Sequence, residues 1–187
     1  MRRGFKAEAE RRSLAARAEL GLNSTDALDP WKYAEFLGVL VFYPGDLDLA
    51  PVHITQLLET DPDSWSGMTL DEDGVRLIVL NSSHSKKRRC STLMHELAHL
   101  ILEHVPASVT VSKSGLTLLS DYSDEQEEEA DWLGAALLLP ETALLHYRTS
   151  GLSASQIANK FCVSDDLCNW RCRMTGVEKR LAFRKRA

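Results

Sequence analysis

Lys86-Lys87-Arg88-Arg89-Cys90-Ser91-Thr92-Leu93-Met94-His95-Glu96-Leu97-Ala98-His99-Leu100-Ile101-Leu102-Glu103-His104 contains neither glycine nor proline. Leu93, Met94, Leu97, Leu100 and Ile101 recur at helical spacing, which predicts a helix with a broad apolar face. His95 and His99 project from the opposite side, about 40° apart around the axis. Flanked by Ala98 and Leu102, they belong to a helix that is apolar almost all round and therefore buried. Buried polar groups need partners, and a metal ion is one that serves both imidazoles at once. Two histidines four apart can grip one Zn²⁺, and the glutamate between them can take a proton from a water at the same ion.

A catalytic zinc site takes three protein ligands and leaves one position open. His104 is one candidate for the third. Projected along a continued helix it falls in the middle of the apolar face, away from His95. The extended spacing that recruits a third histidine would need glycine at 102 and histidine at 105, where this chain has Leu102 and Val105. His104 is accordingly read as structural.

A carboxylate from a following helix is the other candidate. Ser123-Asp124-Glu125-Gln126 has the form of a capping box, with acidic residues in a first turn that favours them. The predicted helix runs to about Leu139 and stops at Pro140. Glu127 and Asp131 share one of its faces, bordered by Ala130, Gly134 and Ala135, small residues that let a second helix come close. Glu127 is the expected third ligand, and Asp131 the acceptor for the free N–H of a ligand histidine. Glu128 and Glu129, in the same acidic run, remain alternatives for the third ligand.

Three stretches together resemble the ImmA/IrrE family of metallopeptidases. They are Arg88-Arg89-Cys90-Ser91-Thr92-Leu93-Met94-His95-Glu96-Leu97-Ala98-His99-Leu100, then Glu127-Glu128-Glu129-Ala130-Asp131, then Ala135-Ala136-Leu137-Leu138-Leu139-Pro140. The family pattern is basic-basic-x-Ser/Thr-x-x-His-Glu-x-x-His, then Glu-x-x-Ala-Asn/Asp, then Ala-x-Leu-Leu-x-Pro, matched over roughly Pro30 to Tyr147 by motif order. Cys90 stands where phenylalanine is common, and Trp132-Leu133-Gly134 replaces a more usual Phe-Ala stretch; neither departure touches a ligand position. The resemblance implies a compact gluzincin with one zinc ion per chain. It carries the ligand role to His95, His99 and Glu127 and the catalytic base role to Glu96. It further implies a regulatory endopeptidase with a narrow protein substrate, often a co-encoded helix-turn-helix repressor, in stress response or transcription regulation.

Composition sets bounds. The chain has 187 residues, 44% hydrophobic and 26% charged, ordinary for a globular protein. No apolar run approaches the roughly 18–20 residues of a membrane span, and no apolar segment follows the basic start Met1-Arg2-Arg3, so no secretory signal is expected. Cys90, Cys162, Cys168 and Cys172 lack the spacing of a secreted disulfide framework or of a structural zinc site. They are read as reduced thiols in a cytoplasmic protein. Net charge is −5, with both ends basic and the stretch 121–131 strongly acidic.

Along the chain, helices are expected from about Phe5 to Leu20, stopped by Gly21, and from Pro30 behind an Asp29 cap to near Gly38. A strand at Val39–Phe42 ends at Pro44-Gly45. Two more, Gly67–Leu70 and Val75–Leu80, flank a turn at Asp71-Glu72-Asp73-Gly74. Residues 105–120 read as a loop with a strand at Val109–Val111 or Leu116–Leu119. The fold class is α+β: a mainly helical zincin-like domain (1–150) with a small antiparallel sheet, followed by a helical, helix-turn-helix-like segment (151–187). That segment has helices through Phe161 and from Asp165 to Met174, a stop at Gly176, and a frayed basic tail. DNA binding is not favoured, because Asp165 and Asp166 stand where a reading helix wants cationic or amide residues. A helical cap or substrate-docking element is preferred. Tyr122, His146 and Tyr147 are candidate donors to the oxyanion of a tetrahedral intermediate. The rival readings are a non-proteolytic metal-containing regulator and a toxin–antitoxin component acting by contact.

Overall fold

The computed structural model describes residues 1–72, 74–106, 108–111 and 117–184. From the N-terminus, α1 (Phe5–Glu19) stops at Leu20-Gly21. The Asp29 carboxylate accepts the N–H groups of Trp31 and Lys32 to cap α2 (Pro30–Phe36), and Gly38, at φ 70°, turns the chain into β1 (Leu40–Phe42). An additional short helix, α3 (Pro51–Thr55), continues through a π-helical turn over Gln56–Thr60. The hairpin of β2 (Gly67–Glu72) and β3 (Val75–Leu80) leads to Ser85, whose hydroxyl accepts from Arg88 N–H and caps α4 (Lys86–Ile101). Then come β4 (Ser108–Val111) and β5 (Thr117–Ser120). The expected capping box, Ser123 with Gln126, opens α5 (Asp124–Leu138). The chain ends in α6 (Glu141–Thr149), α7 (Ala154–Lys160), α8 (Asp165–Met174) and α9 (Val177–Arg184).

The molecule is therefore a mainly helical α+β protein, with three local departures from expectation besides α3. The sheet has the order β1-β3-β2-β5-β4 and is mixed, because β1 pairs with β3 in parallel, Leu40 opposite Leu77. A parallel neighbour needs a crossover rather than a tight turn, and α3 with β2 supplies it. Both alternatives for a strand in 105–120 are realised as an antiparallel hairpin, Val109 opposite Leu119; Leu116 lies outside the described residues. Beyond the expected stop at Gly176 a further helix runs to Arg184, where Val177 is fully buried and Arg148 and Glu141 pair with Glu178 and Arg180. Residues 185–187 lie outside the described residues, as does Asp73 in the predicted β2–β3 turn.

Side-chain alternation splits β3 between two cores. Ile78 and Leu80 join Leu93, Met94 and Leu97 of α4, whereas Leu77 and Val79 pack with Leu70 under Phe42, Leu47, Met68 and Trp65. Thr69 lies directly opposite Ile78 and is fully buried on the α4 side of the sheet. The main core runs from Phe5 through α4 and α5 to Val177, so the last helices pack into it rather than beside it. No described helix is long and apolar enough to cross a membrane.

Two buried arginines fix the C-terminal end of α5, where free carbonyls carry the negative end of the helix dipole. Arg17 of α1 donates to the carbonyls of Leu137 (2.8 Å) and Leu138 (3.5 Å). Arg171 of α8 donates to the Leu139 carbonyl at 3.0 Å and pairs with Glu10 of α1. Both guanidiniums are fully buried, and burial holds Arg17 down at about 10. Along its length α5 lies against α4, where Gly134 sets the separation. A methyl group built on Gly134 would stand 3.2 Å from the Met94 carbonyl oxygen and 3.3 Å from the His95 nitrogen. Those are backbone atoms and cannot swing aside. Gly134→Val is expected to lower unfolding free energy by about 1–3 kcal/mol through overpacking, measured by urea titration; an unchanged midpoint would show that the helices are not held at this distance.

Candidate metal centre

α4 and α5 bring their polar residues together where Gly134 lets them touch. His95 Nε2 lies 3.1 Å from His99 Nε2 and 3.2 Å from Glu127 Oε2. The other Glu127 oxygen is 3.7 Å from His99 Nε2. Two imidazole nitrogens and a carboxylate oxygen thus converge on one point, the donor set that borderline and hard divalent ions take. The three residues, whose ligand atoms all lie within 4.8 Å of one another, could hold one metal ion.

The acidic run from Glu125 to Glu129 resolves by direction. Glu127 faces α4. Glu128 accepts from the Met1 amine at 2.7 Å, and Glu129 accepts from the backbone N–H and Nε of Arg2, both at 2.9 Å. Of the three glutamates weighed as third ligand, Glu127 is the one that reaches His95 and His99. Asp131, one turn further on, accepts from His95 Nδ1 at 2.9 Å, as its spacing suggests. Burial works against the charged form of His95. The Asp131 bond and the charges of Glu96, Asp131 and Glu127 outweigh it, so its pKa is raised. His99 goes the other way: burial first, then His95 and His104, lower it to about 3, so its ring stays neutral as a ligand must.

Glu96 points at β2, where the Thr69 hydroxyl donates to its Oε2 at 2.6 Å. Burial, aided by the charge of Glu127, raises its pKa; the Thr69 bond and His95 oppose this. Of the three candidate oxyanion donors, Tyr122 is the one beside the cluster, its ring stacked on His99 with centroids 3.8 Å apart. Burial and the nearby carboxylates push its phenol up to about 12, so it remains an O–H donor. His146 and Tyr147 instead sit on α6, with Tyr147 against Phe161 and under the Lys160 ammonium. Among the described residues they make no ring contact or hydrogen bond with His95, His99, Glu96 or Glu127.

His104 is where helical projection misleads. α4 ends at Ile101, and Glu103 turns left-handed at φ 53°. The Glu103 N–H then donates to the Leu100 carbonyl (3.2 Å) and the His104 N–H to the His99 carbonyl (3.0 Å), a Schellman closure. The reversal brings His104 Nδ1 to 3.0 Å from His99 Nδ1. His104 is thus no continuation of the apolar stripe; it touches a member of the cluster. In the basic start of α4, Arg88 donates to Asp63 and Ser66 and Lys87 donates to Asn159.

A ligand imidazole must shed its proton, so metal uptake should weaken as pH falls through the raised pKa of His95. Asp131→Asn removes the carboxylate charge that supports that proton. The midpoint of metal binding, followed with a competing chelator between about pH 5 and 8, is expected to move to lower pH; an unmoved midpoint would separate Asp131 from His95.

Residues 51–172 match the peptidase family M78 model, described as an IrrE N-terminal-like domain. No curated protein matches the chain.

Proposed function

The chain belongs to the M78 peptidase family of IrrE N-terminal-like domains, and from that membership and the three-residue cluster we propose that it is a zinc-dependent endopeptidase. In this reading His95, His99 and Glu127 hold the ion and Glu96 is the general base. The convergence of the two Nε2 atoms and the Glu127 carboxylate within 3.1–3.7 Å carries the proposal. Two nitrogens and one oxygen leave room in a tetrahedral shell, unlike a closed structural site of four cysteines or histidines.

When bound, zinc supplies Lewis acidity: it lowers the pKa of water to about 7 and polarises a carbonyl. The remaining work falls to the chain. Glu96, on the helical turn between the two histidines, takes the proton of the attacking water and returns it to the leaving amine. The environment that raises its pKa makes the carboxyl a better proton carrier near neutral pH. Thr69 fixes which carboxylate oxygen is engaged, leaving the other for the proton. The Tyr122 phenol, kept protonated, is the candidate donor to the developing oxyanion. Asp131 holds the His95 ring by its far nitrogen.

The substrate class is a regulatory protein, and a co-encoded helix-turn-helix repressor is the best candidate; its cleavage would give the enzyme a role in transcription regulation or stress response. A cytoplasmic site suits the four free thiols. The C-terminal segment favours protein docking over DNA contact. Asp165 and Asp166 open α8, and its Arg171 is spent inside the protein on Leu139 and Glu10.

Incubation of the purified protein with the neighbour-encoded repressor, followed by mass analysis of fragments, tests the reading. Discrete fragments are expected with Zn²⁺ present and none after chelation. Glu96→Gln should reduce cleavage by at least about 100-fold while Zn²⁺ still binds, and Glu127→Gln should weaken Zn²⁺ binding itself. Full cleavage by the Glu96→Gln protein would refute the base assignment. A stable complex with no cleavage would favour action by contact.

A further inference from the structure

We propose that His104 and Glu129 are positioning residues for His99, holding its imidazole by the nitrogen that faces away from the cluster. The inference rests on the metal-ligand reading of His99 and assigns work to two residues that reading leaves idle.

The geometry fixes where each proton goes. His99 Nε2 points at His95 Nε2 and Glu127, so a lone pair is needed there and the proton belongs on Nδ1. His99 Nδ1–H therefore donates to His104 Nδ1 at 3.0 Å. His104 then carries its own proton on Nε2, which lies 3.7 Å from Glu129 Oε2. Glu129 in turn accepts from the backbone N–H and Nε of Arg2, both at 2.9 Å. Each group has one tautomer or charge state that satisfies its neighbours, and all point the same way.

Water cannot substitute for these partners. The side chains of His99, His104 and Glu129 are 1%, 7% and 5% exposed, and a buried polar group without a partner is costly. Tyr122 closes one face of His99 by stacking, so its ring plane is already set. The remaining freedom is rotation in that plane, and the bond to His104 Nδ1 opposes it. The Schellman closure ties the two residues through the backbone as well. The two ligand histidines are thus held differently: His95 by the Asp131 carboxylate, 75% exposed, and His99 by a neutral imidazole in a dry site.

Two measurements test the proposal. In ¹⁵N-labelled, Zn²⁺-loaded wild-type protein, a through-hydrogen-bond ¹⁵N–¹⁵N coupling between the His99 and His104 rings is expected; its absence overturns the proposal without any variant. Zn²⁺ affinity is also measured by chelator competition for wild type, His104→Leu, His104→Gln and Glu129→Gln. Loss of the acceptor in His104→Leu should weaken binding by about 10–100-fold. His104→Gln, whose amide oxygen can accept from Nδ1–H, should recover most of that loss. Glu129→Gln should fall between wild type and His104→Leu. Wild-type binding by His104→Leu overturns the positioning role while leaving the metal centre intact; a wild-type protein that takes up no Zn²⁺ overturns the metal centre and the positioning role together.

Discussion

The close approach of α4 and α5 at Gly134 is the constraint on which the rest of the site depends. His95 and His99 come from one helix and Glu127 from the other, so their donor atoms converge only if the two backbones nearly touch. A glycine against the Met94 carbonyl and the His95 nitrogen allows that contact. The arginines at the far end of α5 make the same helix a fixed reference. Arg17 ties it to α1, and Arg171 ties it to α8. Packing energy spread over the whole core is thereby turned into the position of one carboxylate.

Around that contact the polar residues are sorted by burial. Asp131 stands in water and supports the proton on His95, whereas His99 sits in a dry pocket that keeps it neutral. Glu96 is held toward the sheet by the Thr69 hydroxyl. Glu128 and Glu129, adjacent in sequence to Glu127, are turned to the N-terminus and neutralised there by Met1 and Arg2. A run of consecutive acidic residues so divides its labour by helical angle alone.

Much of this was legible in the residues. The i, i+4 pair, the capping box at Ser123 and the small-residue face of α5 follow from local rules, and those rules place His95, His99, Glu127 and Asp131 correctly in relation to one another. What escaped was set by tertiary contact or by chain reversal. The parallel seat of β1 beside β3 depends on a crossover that hydrophobic alternation does not encode. His104 was misplaced because α4 ends at Ile101, three residues before the projected position, and the chain reverses through a left-handed turn at Glu103, a residue type that rarely adopts it. That Tyr122, and not His146 or Tyr147, lies against His99 depends on the path of the loop before α5, which local pattern does not encode. The buried duties of Arg17 and Arg171 were hidden because an arginine among other charged residues looks solvated until its partner carbonyls are located.

X-ray absorption at the zinc edge of the loaded wild-type protein probes the central claim without a substrate. The account requires a first shell of nitrogen and oxygen at about 2.0–2.2 Å, with outer-shell scattering from two imidazole rings that drops to one in His99→Ala. A shell containing sulfur at about 2.3 Å, or a spectrum unchanged in His99→Ala, would place the ion elsewhere in the molecule and contradict it.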